Sequence, residues 1–158
     1  MRKAALLLAA LLLLAGCGGG GGDERAGEPS PPEESGPQVV IATDDGEVTV
    51  PVEVADSDAE RERGLMNRES LDVDAGMIFL FQEDSTGGFW MKNTLIPLSI
   101  AFVGADGEIL RILDMEPCPA DPCPVYDPGV AYRSALEVNE GAFDEWGVEE
   151  GDRLSLRG

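Results

Sequence analysis

Lys92, Asn93 and Thr94 stand side by side within the otherwise apolar run Gly88-Phe89-Trp90-Met91-Lys92-Asn93-Thr94-Leu95-Ile96-Pro97-Leu98-Ser99-Ile100. Lys92 is the only lysine after Lys3, and every other later cation is an arginine. A lysine amine is compact and can lose its proton, whereas a guanidinium stays charged. Held among apolar neighbours, Lys92 could act as a base or nucleophile of lowered pKa, or as a point charge for an anion. The structural alternative is that one of the 31 carboxylates consumes it in an ion pair, while Asn93 or Thr94 satisfies backbone groups at a strand end. Read as a strand, the segment puts Trp90, Lys92 and Thr94 on one face and Met91 and Asn93 on the other.

Arg63 and Glu137 are the next pair. An arginine on a short helix and a glutamate on a late strand could converge beside Lys92, either as a polar cluster with shifted pKa values or as a buried salt bridge tying helix to sheet. Met66, Met77 and Met91 read as fillers of core gaps, with no metal or redox role needed. The ligand-binding candidates are thus Arg63, Met66, Trp90, Lys92, Asn93, Thr94 and Glu137. No catalytic residue is assigned, and Lys92 and Glu137 are the candidates.

The chain has no histidine, which removes Ser-His-Asp and Cys-His chemistry. It has no Gly-rich phosphate loop and implies no cofactor. A Ser99–Lys92 dyad is formally available, although Pro97 lies between the two. Cys118 and Cys123 enclose Pro-Ala-Asp-Pro, and with Cys17 used elsewhere they form an even pair, so a structural disulfide is expected. A metal site is not, because no histidine or second cysteine pair completes four ligands.

The segments that must position these residues follow in order. Met1-Arg2-Lys3 and the apolar run Ala4 to Ala15 read as a signal peptide, too short to span a bilayer. The run ends in Leu14-Ala15-Gly16-Cys17, a lipobox-like sequence that predicts lipidation of Cys17 and residues 1–16 as leader. Processing there removes Arg2 and Lys3 and no acid, taking the net charge from −20 to −22. That balance excludes nucleic acid as a partner and opposes adsorption to anionic headgroups, leaving the lipid on Cys17 as the membrane attachment. Acids with arginine in place of lysine fit a salt-adapted or a GC-rich source alike. Residues 17–37, rich in Gly, Pro and Glu, read as a disordered tether of roughly 25 Å reach.

Residues 38–158 then form one β-rich domain. Strands are expected at Val39–Thr43 and Glu47–Val54, joined at Asp44-Asp45-Gly46, with Val48, Val50, Val52 and Val54 on one face. Ser57-Asp58-Ala59-Glu60 has the spacing of a capping box and opens a helix carrying Arg61, Arg63, Leu65 and Met66. Further strands are expected at Gly76–Phe81, Gly88–Asn93, Ile96–Val103, Glu108–Met115, Ala135–Val138 and before Leu156. A polar turn spans Gln82–Gly87, a proline-rich loop Pro117–Gly129, and a short helix Ala142–Trp146. Seven or eight short strands with turns between them predict a mainly β (β-rich α+β) small barrel or sandwich with one or two short helices.

Arg63-Gly64-Leu65-Met66, Gly76-Met77-Ile78-Phe79, Phe89-Trp90-Met91-Lys92-Asn93-Thr94 with Ile96-Pro97-Leu98, Ala135-Leu136-Glu137 with Gly141, and Gly147-Val148-Glu149-Glu150-Gly151-Asp152 resemble domain-of-unknown-function family 192. The resemblance covers most of Val39 to Leu156. It implies a compact, mostly β domain, often exported or lipid-anchored, and no established activity. The family carries an aspartate after Pro-Leu where this chain has Ser99, so a role needing a carboxylate there does not carry over. The leading expectation is a lipid-anchored module of the cell envelope, extracytoplasmic, binding a small ligand or an envelope partner. The alternative is an enzyme, a hydrolase or lyase, using Lys92 with Asn93, Thr94 and Glu137. A third is a purely structural envelope protein.

Overall fold

The computed structural model describes residues 36–158; the leader, Cys17 and the tether before Gly36 lie outside the described residues. β1 (Gln38–Thr43) and β2 (Gly46–Ala55) form an antiparallel hairpin in which Thr43 pairs with Gly46 across Asp44-Asp45. Ser57 then caps α1 (Asp58–Arg63): its hydroxyl accepts from the Glu60 amide, and the Glu60 carboxylate accepts from the Ser57 amide. Such a cap contributes about 1 kcal/mol. The helix stops sooner than the sequence suggests, so Leu65 and Met66 follow it. Gly64 takes φ 45°, and a Cβ there would stand 3.3 Å from the Phe79 ring.

The chain crosses over to β3 (Gly76–Ser85), which lies parallel to β2, and reaches β4 (Phe89–Trp90). β5 (Leu98–Val103) and β6 (Ile109–Met115) form the second hairpin. β7 (Val125–Tyr126) pairs with β4 in a small second sheet, β8 (Tyr132–Asn139) lies between β3 and β5, α2 (Ala142–Trp146) follows, and β9 (Arg153–Arg157) pairs with β1. The main sheet has the order β6-β5-β8-β3-β2-β1-β9. It curls until its edges meet at one corner: the Leu154 amide donates to the Gly107 carbonyl, and the Ile109 amide to the Asp152 carbonyl, each at 2.8 Å. The expected mainly β fold with two short helices is what forms.

Two apolar clusters hold it. Inside the curl, Val39, Ile41, Val50, Ile78, Leu136 and Val138 pack with Phe143 of α2. On the outer face of β3, β8 and β5, Met77, Phe79, Ile100, Phe102 and Ala135 pack under Leu65, Met91, Cys118 and Tyr132. Every residue of β5 is buried because both faces are covered. Phe79, Phe89, Phe102 and Tyr132 meet edge to face, with centroids 4.9–5.6 Å apart between successive rings. Burial of each large side chain contributes about 2–3 kcal/mol.

Several expected elements shift. The segment expected as a strand from Gly88 to Asn93 leaves extended form after Trp90. The turn expected at Gln82–Gly87 is largely strand, since β3 runs on to Ser85. The proline-rich segment contains β7 because Trp90 finds a backbone partner in Val125.

Candidate functional site

The Lys-Asn-Thr segment is a turn. The Thr94 amide donates to the Met91 carbonyl at 3.0 Å, and Asn93 holds φ 57°. Asparagine tolerates this left-handed conformation, and third positions of such turns favour it. The two-faced strand arrangement of Lys92 and Asn93 therefore does not form: Met91 and Thr94 turn inward and are buried, while Lys92 and Asn93 are half-buried. A second left-handed asparagine, Asn67 at φ 60°, donates its amide to the Asn93 carbonyl at 2.8 Å. The segment after α1 is thereby pinned to the turn.

The turn is held on its other side by the disulfide loop. Cys118 and Cys123 are bonded. The Asn93 amide donates to the Cys118 carbonyl at 2.9 Å, and the Cys118 amide to the Thr94 carbonyl at 3.2 Å. Asp121, inside that loop, accepts from Lys92 Nζ at 2.9 Å, and the same amine lies 5.3 Å from the centroid of the Trp90 ring. A half-exposed ion pair of this kind contributes at most about 1 kcal/mol. Lys92 is thus paired, and its partner is a residue the sequence did not single out.

Glu137 is placed differently. On β8 it shares the face of Ala135 by the period of two, which directs it into the outer apolar cluster opposite Met77 and Ile100. It is 5% exposed. Burial pushes its carboxyl up to about 8, and no neighbouring charge or hydrogen bond contributes. Among the described residues, no fully occluded side-chain oxygen lacks a hydrogen-bond partner. The Glu137 carboxyl oxygens have no hydrogen-bond partner among the described residues, and the side chain borders a chamber of about 30 Å³ that Thr94, Leu65 and Phe79 also line. The expected Arg63–Glu137 salt bridge does not form. Arg63 ends α1 at the surface and borders the same chamber without pairing with the carboxyl.

Beside the chamber lies an open cleft of about 410 Å³ between α1 and the turn, lined by Ala59, Glu62, Arg63, Met66, Asn67, Trp90, Lys92 and Asn93. Glu62, Arg63, Met66 and Trp90 border both spaces. The structure therefore gathers Arg63, Met66, Trp90, Lys92 and Asn93 around the cleft, and Thr94 and Glu137 around the chamber next to it. Asp121, Asn67 and Glu62 were missed. Asn67 and Asn93 carried a usable signal, since asparagine is the residue that most readily takes positive φ after glycine.

Ser99 stands apart. It faces the inside of the curl with Ala101, donates to Asp114 Oδ1 at 2.5 Å and accepts from the Gly141 amide at 2.9 Å. A dyad with Lys92, on the opposite side of β5, does not form. Among the described residues no group of three or more Cys, Asp or Glu stands where it could hold a metal ion.

Comparison with known proteins supplies the remaining observations. No curated protein matches. A crystal structure from Sinorhizobium meliloti, described as a "putative transcription regulator", is 35% identical with a TM-score of 0.69, over 75% of this chain and 92% of that one. A crystal structure of a protein of unknown function from Novosphingobium aromaticivorans is 31% identical with a TM-score of 0.69, over 87% of this chain and 99% of that one. The family model DUF192, described as "Uncharacterized ACR, COG1430", matches residues 40–156. With well over half of its length matched, the chain belongs to the DUF192 family.

Proposed function

We propose that this domain is an extracytoplasmic, lipid-anchored binding module whose cleft between α1 and the Lys92–Thr94 turn takes a small ligand. One observation carries the binding role: a nine-tenths-buried carboxyl, that of Glu137, borders a chamber beside an exposed tryptophan and has no hydrogen-bond partner among the described residues. An unpaired buried polar group costs about 1–3 kcal/mol, a cost that a ligand or water group in the chamber offsets. The cleft's volume of about 410 Å³ falls within the range of small-molecule sites, about 300–1,000 Å³. The net charge of −20 is unsuited to DNA phosphates, so the regulator description of the Sinorhizobium protein is not transferred.

The envelope address rests on Leu14-Ala15-Gly16-Cys17, and the Cys118–Cys123 bond suits an oxidising compartment. The test of binding is an NMR screen of small fragments against the full-length protein in nanodiscs, following the Met66 methyl and Trp90 indole signals. Ligands of the cleft move both together; a broad library that moves neither refutes the role. For the anchor, Cys17→Ser is expected to shift the protein from the membrane to the soluble fraction, and unchanged membrane retention refutes it.

The enzyme reading retains one support, a carboxyl that stays protonated to about 8 and so could act as a general acid at neutral pH. Lys92 borders the cleft but not the chamber. Turnover of any substrate that vanishes in Glu137→Gln would establish that reading over binding alone.

A further inference from the structure

The charge pattern around the cleft identifies the class of ligand. The chain holds 31 acids against 11 bases, so an arginine without a carboxylate partner is conspicuous. Among the described residues, every lysine and arginine except Arg63 has a carboxylate within 4.0 Å. Arg63 is exposed and borders both chamber and cleft. The nearby carboxylates are otherwise engaged or misdirected. Glu53 is held by both nitrogens of the Arg68 fork. Glu62 is the adjacent helical residue, and i,i+1 side chains do not face one another. Lys92, the other cation of the cleft, is neutralised by Asp121 and rests on the Trp90 ring. Glu62 also borders the cleft and Glu53 feels the Arg63 charge, but neither lies within 4.0 Å of it, so Arg63 is the cation of the cleft whose guanidinium donors hold no carboxylate.

The rest of the wall is apolar where a ligand body would lie. Trp90 is 48% exposed, and Met66 is half-buried beside it. An exposed indole is a flat surface for a ring or alkyl chain, and a methionine adapts to its outline. Deeper in, the chamber of about 30 Å³ admits one water-sized group, with the Thr94 hydroxyl and the protonated Glu137 carboxyl as polar partners. Thus a cation, an apolar platform and a small polar chamber border one another.

We propose that the cleft binds a small organic carboxylate, its head on the Arg63 guanidinium, its apolar body against Trp90 and Met66, and a small polar tip entering the Thr94–Glu137 chamber. This rests on the cleft being a ligand site. A guanidinium fork matches a carboxylate with two parallel hydrogen bonds. A single charge is favoured over a phosphate dianion because only one cation is unmatched and the surrounding molecule is strongly negative.

The test compares four ligands with a common ring: phenylacetate, phenyl phosphate, phenethylamine and benzyl alcohol. Each is titrated into the full-length protein in zwitterionic nanodiscs, with the Met66 methyl and Trp90 indole signals as readout. Phenylacetate is expected to bind tightest, to weaken about tenfold or more in Arg63→Gln, and to weaken as salt rises. Tighter binding of phenyl phosphate overturns the carboxylate assignment. Equal or tighter binding of phenethylamine or benzyl alcohol, or phenylacetate affinity unchanged in Arg63→Gln, overturns the role of Arg63 while leaving the cleft a ligand site. If no probe moves either signal up to roughly 10 mM, where affinities worth only about 3 kcal/mol would already show, this assignment fails, and the fragment screen decides separately whether the cleft binds anything.

Discussion

Glu137 shows how one residue can couple the core to pH. The folded protein keeps it protonated to about 8, whereas the unfolded chain ionises it near 4.5. Between these values the native state binds the extra proton, so stability falls as pH rises, by up to about 1.4 kcal/mol per pH unit from this group. Below 4.5 both states hold the proton and the dependence vanishes; above about 8 both are ionised and the loss is complete. Urea denaturation of the wild type should therefore weaken steadily from pH 5 to 8, and Glu137→Gln should flatten that slope. A variant with the wild-type slope would show that the carboxyl is not buried as described. Asn93 makes a separate case at φ 57°. Asn93→Gly should leave stability nearly unchanged, whereas Asn93→Val should lose about 1–2 kcal/mol, measurable in the same denaturation series.

The elements matter through how closely they approach. β3 and β8 meet at Gly76, opposite Val138, where a Cβ would stand 2.7 Å from the Glu137 carbonyl. That contact is with backbone, which cannot swing aside. Gly76→Ala should force the strands apart beside the chamber and cost about 1–3 kcal/mol, read as a lower denaturation midpoint; an unaltered midpoint would mean that the pair tolerates a wider spacing. The short α1 has the opposite character. Its six residues bury none of their side chains fully, so its cap and the Arg61 contacts to the carbonyls of Asp56 and Leu80 hold it. This places Arg63 at an exposed helix end, and the conformation of Gly64 turns the chain immediately afterwards toward Leu65 and the core.

For the whole molecule, net charge is the governing quantity. A charge of −20 on 158 residues repels itself in the compact state, and salt screens that repulsion over a Debye length of about 10 Å at 0.1 M. Raising sodium chloride from low salt to about 1 M should increase the melting temperature. A fall would indicate that the surface ion pairs, eight contacts within 4.0 Å between arginine or lysine and acid among the described residues, outweigh the general repulsion.

Local rules written in the chain decided a good deal. Alternation along Val48 to Val54, the capping spacing Ser57–Glu60, the helix stop at Gly147 and the pairing of Cys118 with Cys123 all depend on residues close in sequence, and each could be read without coordinates. The continuous apolar run Gly76–Phe81 announced a central strand, which β3 is. What the tertiary structure decided were the contacts between distant segments. Arg63 and Glu137 are residue types of opposite formal charge that border the same chamber, yet only the geometry of α1 and β8 shows that they do not pair. The partner of Lys92 could have been any of 31 acids, and the docking of the disulfide loop selected Asp121. The end of β4 at Trp90 was obscured by the apolar residues that continue on either side of Lys92-Asn93-Thr94, with Asn93, a turn-favouring residue, as the one local signal against a strand. Periodicity records which face of its own element a residue occupies; which other element covers that face depends on how the sheet curls, a property no single segment contains.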